Sequence, residues 1–147
     1  MKKPTRFSRN LLKSAVDFHG HLGPYLVLGL RMGLLANKTL HPRRLHDMSV
    51  TVWTKQSPPE SCLLDGIQVS SGCTLGKTNL RVKNAARIRA RFRKGNRSLL
   101  IQPTEKTSEL LRSTYRRTSK KGVEELAVDL SSMSEKALFS VKRTMRN

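Results

Sequence analysis

Residues 18–37 read FHGHLGPYLVLGLRMGLLAN, and this stretch decides how the chain begins to fold. Gly20, Gly23 and Pro24 interrupt any helix that precedes them, and proline suits the first position of the helix that follows. Residues 25–37 are apolar nearly all round, which is typical of a helix at the centre of a domain. The stretch therefore predicts a helix, a sharp turn that carries two histidines, and a second, buried helix.

Apolar spacing predicts further helices around the central one. Within the central helix, Gly29 and Gly33 stand four residues apart, which permits another backbone to approach closely and indicates packing more than function. Gly72 is a suitable C-terminal stop for one of the other helices, and Ser134 a suitable N-terminal cap for another. The predicted helices cover residues 9–18, 24–37, 60–71, 104–118, 122–129 and 134–146.

Four shorter segments have the composition of strands. Residues 87–93 alternate basic and apolar side chains, which indicates a strand with one solvated and one buried face. Gly95-Asn96 fits the hairpin turn that follows it. The predicted strands cover residues 49–54, 80–83, 87–92 and 98–102.

These elements predict an α+β fold in which an antiparallel sheet packs against helices, with a C-terminal helical segment. A length of 147 residues suits one domain with a substantial core and is short for two. We therefore expect a single domain over residues 1–147, made of a core over 9–102 and a helical extension over 103–147.

The chain is strongly basic. It carries 29 Lys and Arg against 10 Asp and Glu, a formal net charge of +19. Such a field attracts nucleic acid, and a basic strand face at Arg87, Arg89, Arg91 and Arg93 is the place to expect it. Only one Trp, two Tyr and four Phe can serve as stacking platforms. A surface adapted to an unusual cytosol explains the charge equally well, so both interpretations stay open.

The sequence favours a soluble, cytoplasmic protein. No segment reaches the roughly 20 apolar residues that a membrane span requires, because Arg31 interrupts the best run. Lys13 and Asp17 interrupt what would have to be the apolar part of a signal peptide. Two isolated cysteines suit a reducing compartment.

Histidine and cysteine are the side chains that could bind a transition metal, because zinc and similar ions prefer imidazole and thiolate ligands. His19 and His21 are two apart and cannot share a helix face, but in a turn both can reach one site, or one can bind while the other orients it. Cys62 and Cys73 lack the spacing of a zinc ribbon. A surface or hydrogen-bonded histidine and a buried, inert cysteine are the alternatives.

The predicted helix and loop around the cysteines add three candidates. Cys62 falls in the first turn of a predicted helix, where the macrodipole lowers the pKa of a thiol.

The loop that follows has one residue too few between its glycines for a Walker A loop and the wrong flanking elements. We expect at most an anion-friendly loop with Lys77 and Thr74. If Asp65 faces the same cleft, we expect it to bind the metal, to orient one of the metal ligands, or to bind substrate.

Four motifs together make the chain similar to a known family. They are FHGHLGP at 18–24, GLR at 29–31, SCLLDGIQ at 61–68 and SGCTLGK at 71–77. Over about residues 10–102 the chain resembles the formylmethanofuran dehydrogenase E-subunit family. The resemblance implies an α+β fold, a tendency to dimerise, and a metal-binding cleft lined by the shared His and Cys residues. The family is named for a protein found with the molybdenum or tungsten enzyme that fixes carbon dioxide on methanofuran, and many members occur alone with undefined activity.

The chain departs from the family pattern at three places. Leu22-Gly23-Pro24 stands where members often have a cysteine before proline, so one potential ligand is missing. The loop reads Gly76-Lys77-Thr78-Asn79 instead of Gly-Lys-Gly-Asn. No cysteine follows Cys73, so the C-terminal zinc ribbon of some members is absent.

The leading hypothesis is a protein that binds zinc or another divalent transition metal through His19, His21, Cys62 and Cys73. Lys77, Thr74 and Asp65 are the candidates for substrate or anion binding, and the sequence assigns no reaction. The alternative is a basic nucleic-acid-binding or scaffold protein without catalysis. A component of a larger redox complex is the third possibility. We also expect a homodimer, because the apolar perimeter of the helix over 25–37 exceeds what one sheet face covers.

Overall fold

A computed structural model describes residues 8–44, 46–117 and 119–146. The first seven residues of the expected domain, and the expected helix end at residue 118, lie outside this part. Its helices are α1 (Arg9–His19), α2 (Pro24–Leu40), α3 (Leu63–Ser71), α4 (Glu105–Arg117), α5 (Lys120–Ser132) and α6 (Glu135–Leu138). Its strands are β1 (Ser49–Thr54), β2 (Leu80–Asn84), β3 (Arg89–Lys94), β4 (Arg97–Pro103) and β5 (Phe139–Met145). A 3-10 turn, Glu60–Cys62, leads into α3.

The strands form one sheet in the order β2-β1-β3-β4-β5. Strands β1 and β2 are parallel, and every other neighbouring pair is antiparallel. A parallel pair requires a crossover, which α3 supplies between β1 and β2. The α+β class and the mainly antiparallel sheet are confirmed, with one parallel pair added at the edge.

The C-terminal segment differs from the prediction. The helix expected over 134–146 is wrong: Ser134 does cap a helix, but α6 has only four residues and β5 follows it. Strand β5 pairs along the whole of β4, from Pro103 with Phe139 to Arg97 with Met145. The pairing forms hydrogen bonds with backbone groups that β4 would otherwise leave unpaired at its outer edge. These hydrogen bonds join segments that are distant in sequence, so the pattern within residues 134–146 does not reveal them. The extension is therefore part of the sheet as well as of the helical layer.

Helix α2 is the centre of the core, as its composition predicts. Its residues 25–28 and 30 are 5% exposed or less and Gly29 is buried, with helices α1, α3 and α5 packed around it and strands β3 and β4 beside it. The described part of the same chain thus covers the apolar perimeter of α2. The physical reason given for a homodimer is therefore removed, although the dimer itself stays a prediction.

Helices α2 and α3 meet backbone to backbone, and this contact sets the position of the candidate site. A methyl group added at Gly29 would lie 2.0 Å from the carbonyl oxygen of Leu63. One added at Gly66 would lie 2.2 Å from the carbonyl oxygen of Leu26. Only glycine fits at these positions, so the close approach expected from Gly29 is confirmed.

Within the described ranges, no helix is long and apolar enough to cross a membrane.

Candidate functional site

His19 is the last residue of α1 and contacts the first turn of α3. Gly20 follows it with φ +108° and ends the helix in a left-handed conformation, which glycine adopts without strain. The Nδ1 atom of His19 lies 2.6 Å from Oδ2 of Asp65, and the His19 side chain is only 10% exposed. Gln68, one turn further along α3, donates a hydrogen bond of 3.4 Å to Oδ1 of the same carboxylate. Asp65 is thus held between two partners, 46 residues away from His19 in sequence.

This contact fixes the tautomer of His19. An ionised carboxylate only accepts hydrogen bonds, so Nδ1 is the donor in this contact, and a neutral ring then has its free lone pair on Nε2. The Nε2 atom is buried and has no hydrogen-bond partner among the described residues. A buried polar atom without a partner is destabilising unless a water or an ion binds to it. A carboxylate behind a histidine is also the arrangement that orients metal-binding histidines.

His21 lies beside His19, on the solvent side of the same turn. The two ring centroids are 4.6 Å apart and the ring planes are tilted by 38°. His21 itself is exposed, so it can change its orientation without disturbing the core. The turn therefore brings both predicted histidines to one place, with His19 held by Asp65 and His21 exposed.

Cys62 lies at the N-terminal end of α3, close to the same carboxylate. Burial raises the pKa of its thiol, and the negative charges of Asp65 and Glu60 raise it further. The expectation that the helix macrodipole lowers this pKa is wrong, because burial and the two acids outweigh it. Cys62 is therefore a protonated thiol in a locally acidic environment, within a chain of net charge +19.

Cys73 lies at the opposite end of α3. A helix of nine residues is about 13 Å long, so Cys73 is not placed to share an ion with Cys62 inside one chain. Cys73 is 1% exposed, and its Sγ atom lies 3.4 Å from the carbonyl oxygen of Met48. Burial raises its pKa, against smaller lowering effects from Ser71 and Lys77. Cys73 is thus a buried thiol at a second location.

That second location is a basic cleft of about 840 Å³. Its lining includes Asn37, His41, Arg43, Arg44, Cys73 and Lys77. The backbone N–H groups of the loop are already used: those of Cys73, Thr74, Leu75 and Lys77 donate to side chains of the same chain. Thr74 serves as one of these acceptors, so it caps the loop from within. An anion in this cleft would therefore contact the side chains of Lys77, Arg43 and Arg44 rather than a cradle of amides.

The predicted site residues thus fall into two groups. His19, His21, Cys62 and Asp65 lie at the N-terminal end of α3, and Cys73, Thr74 and Lys77 lie beyond its C-terminal end. Across the described ranges, no three or more His, Cys, Asp and Glu side chains are arranged as a preformed metal cage. The first group instead offers one buried nitrogen, oriented by a carboxylate.

Sequence reasoning missed a pair of phenols beside Cys62. Tyr25 and Tyr115 lie with ring centroids 5.5 Å apart, and burial raises the pKa of each to about 12. Glu60 contributes to both of these raised pKa values, and Cys62 contributes more than Glu60 to that of Tyr115. No local signal could have joined these side chains, because Tyr115 comes from α4 and Tyr25 from α2.

Known proteins share part of this sequence or share this fold. One relative, described as a "Probable S-adenosyl-L-methionine-binding protein" of Archaeoglobus fulgidus, is 39% identical over 71 residues, which is 48% of this chain. The chain spans about a fifth of the length of that relative, since the match covers 19% of it. A crystal structure of a tungsten formylmethanofuran dehydrogenase FmdE-like protein from Syntrophus aciditrophicus superposes with a TM-score of 0.64. It covers 99% of this chain and 77% of that one at 10% identity, so it shows the shared fold alone.

The family comparison covers more of the chain than the motifs do. The model of the family described as "FmdE, Molybdenum formylmethanofuran dehydrogenase operon" matches residues 18–145. The match begins at the histidine turn and runs through β5. It therefore includes both ends of α3 and the C-terminal strand that the sequence patterns did not predict. The chain belongs to the FmdE family.

Proposed function

We propose that this FmdE-family protein binds a divalent transition metal, with zinc the first candidate, on Nε2 of His19. The environment of His19 is the observation that carries the proposal. Its Nδ1 atom contacts the Asp65 carboxylate, and its Nε2 atom is buried without a partner among the described residues. His21 and Cys62 are the further ligands within reach of the same turn and helix end. Asp65 would act behind His19 as the residue that orients it.

The local charge supports a cation rather than an anion at this site. Asp65 and Glu60 both act on Cys62, so the field there is negative although the whole chain is positive. Cys62 must lose its proton to bind a metal, and its raised pKa makes that loss harder at neutral pH. Metal affinity that depends on Cys62 should therefore fall as the pH is lowered.

A metal bound here would supply Lewis acidity or an activated water, as in other open zinc sites. The chain's own part is to hold a proton on Nδ1 of His19, keep Nε2 free, and leave the exposed side open at His21. The operon in the family description supports a role near one-carbon or redox chemistry, alone or as part of a complex. Co-purification from the native source with a molybdenum or tungsten enzyme would test the role within a complex.

The metal proposal is tested by titrating metal-free protein with zinc and counting bound ions by calorimetry and metal analysis. We expect about one ion per chain in the wild type and loss of binding in His19→Ala. Asp65→Asn should bind roughly 10- to 100-fold more weakly, because it keeps the shape but loses the charge behind His19. Cys73→Ser is the matched control and should bind like the wild type.

Each alternative outcome counts against a part of the proposal. Equal zinc content in wild type and His19→Ala, or none in either, would end it. Loss of zinc in Cys73→Ser as large as in His19→Ala would contradict the division of the residues into two groups. Circular dichroism of every variant separates these outcomes from a failure to fold.

A further inference from the structure

The sheet has one covered face and one open face. Val50, Val52, Ala90, Phe92, Leu99 and Ile101 point to the helices and are 2% exposed or less. The residues between them point the other way and are half-buried or exposed. The cations on this open face are Arg81, Lys83, Arg89, Arg91, Arg93 and Lys142, and none of the five strands contains an acidic residue.

The strand register arranges these six cations in rows across the sheet. One row runs Arg81–Thr51–Arg91–Leu100–Lys142, from β2 through β1, β3 and β4 to β5. Neighbouring strands lie about 4.8 Å apart, and successive side chains on one face of a strand lie about 6.7 Å apart. So many like charges on one face, with no acid among them, repel one another. A bound polyanion would remove that repulsion.

Trp53 lies within this field and gives the open face a stacking surface. The guanidinium carbon of Arg89 is 4.5 Å from the centre of the indole ring, that of Arg91 is 5.6 Å away, and Nζ of Lys83 is 5.7 Å away. Exposed aromatic rings and guanidinium planes are both surfaces on which unpaired bases stack. Trp53 is also the only tryptophan in the chain.

We propose that the open face binds single-stranded nucleic acid. A groove of about 350 Å³ runs over β2, β1 and β3, and its lining includes Ser49, Thr51, Trp53, Arg81, Arg91 and Arg93. Phosphates contact the arginines and lysines, and a base stacks at Trp53 and Arg89. The hydroxyl groups of Ser49 and Thr51 lie between the cations and can donate to phosphate or sugar oxygens.

Two other occupants fit this face less well. A second copy of the chain would bring two sets of six cations together, with no carboxylate on either face to pair them. An anionic membrane would be attracted by the charge, but the only large apolar ring on the described part of this face is half-buried Trp53, which is too little apolar surface to insert among lipid chains. Unpaired nucleic acid uses both the charge and the ring. This inference is independent of the metal site, which lies on the helical side of the sheet.

The test is a titration of the whole protein with a fluorescein-labelled 12-nucleotide oligouridylate, and with its deoxythymidylate equivalent, at 50–300 mM salt. Engagement of all six cations gives a plot of log K against log salt with a slope of about −4. Arg91→Gln/Arg93→Gln should make that slope about 1.4 less steep. Trp53→Ala should weaken binding roughly 5- to 150-fold, and Trp53→Phe by clearly less. Quenching of Trp53 fluorescence should follow the same binding curve.

The matched control is Lys120→Gln/Lys121→Gln, which removes the same charge from α5 on the helical side. It should leave the slope unchanged within about 0.5. An equal loss in this control and in the arginine pair would show diffuse attraction and overturn the proposal. Absence of binding at 50 mM salt, equal affinity for a duplex, or an unchanged affinity in Trp53→Ala would overturn it too. His19→Ala should bind the oligonucleotide like the wild type, so failure of the metal proposal leaves this test intact.

Discussion

Gly66→Ala should destabilise the protein because it adds a methyl group where the backbones of α2 and α3 are in close contact. The new Cβ would lie 2.2 Å from the carbonyl oxygen of Leu26 and 2.6 Å from the backbone nitrogen of Leu30. Ordinary contact begins near 3.4 Å, so the helices must separate by about 1.2 Å. Both obstructing atoms are backbone atoms and cannot rotate away.

The magnitude follows from two opposing effects. Overpacking of this kind costs about 1–3 kcal/mol, and the rigid backbone on both sides places Gly66 at the upper end of that range. Replacing glycine by alanine inside a helix raises the free energy of unfolding by about 1 kcal/mol, because alanine has the higher helix propensity. We expect a net loss of about 2 kcal/mol in the free energy of unfolding, which lowers the melting temperature by roughly 4–8 °C in a chain of this size.

Urea unfolding followed by circular dichroism measures this loss directly. The matched control is Gly76→Ala, where the added methyl group meets nothing within 4 Å. That variant should be neutral or more stable by up to about 1 kcal/mol, through the unfolded state. If Gly66→Ala changes stability by less than about 0.5 kcal/mol, or no more than Gly76→Ala does, the close contact of α2 and α3 is wrong.

Two further predictions concern alkaline pH and association. Burial is the main cause that raises the pKa of Tyr25 and Tyr115 to about 12, so the folded state favours the neutral phenols. Their contribution to the free energy of unfolding is complete below pH 10 and is lost as the pH rises towards 12. The urea midpoint should therefore fall between pH 10 and 12, less so in Tyr25→Phe/Tyr115→Phe, and absorbance at 295 nm showing both phenols titrating at pH 10 would contradict this. We also expect a homodimer near the histidine turn, where Phe18 is 62% exposed. Sedimentation at two ionic strengths should show association that strengthens with salt and weakens in Phe18→Ser, whereas a monomer at both salts at micromolar concentration would refute it.

Local signals in the sequence were enough to predict the helices on either side of the histidine turn. Gly20, Gly23 and Pro24 correctly separate α1 from α2, because glycine and proline act on the backbone within one or two residues. The apolar residues of α2 correctly predict a buried helix, and Gly29 correctly predicts a close backbone contact. Gly66, its counterpart on α3, had no such signal.

The parts that could not be predicted depend on distant partners. Residues 139–145 become a strand because β4 offers a free edge, and nothing within the segment reveals that edge. The contact of Asp65 with His19 joins residues 46 apart, so it depends on how α3 is rotated against α1. The separation of Cys62 from Cys73, in contrast, was implicit in the helix predicted over 60–71, which already placed them at opposite ends.

The β1–α3–β2 crossover connects the two proposed binding regions and keeps them apart. Helix α3 carries Asp65 and Gly66 on the helical side of the sheet, whereas β1 and β2 place Trp53, Arg81 and Lys83 on the open side. An acidic cation site and a basic polyanion site can coexist in a chain of +19 because the sheet lies between them. Gly66→Ala acts on only one of them, since moving α3 away from α2 displaces Asp65 from His19 without altering the strand register. Weaker zinc binding with unchanged oligonucleotide affinity in the folded fraction of this variant would show that the two sites are independent, and a parallel loss of both would show that they are not.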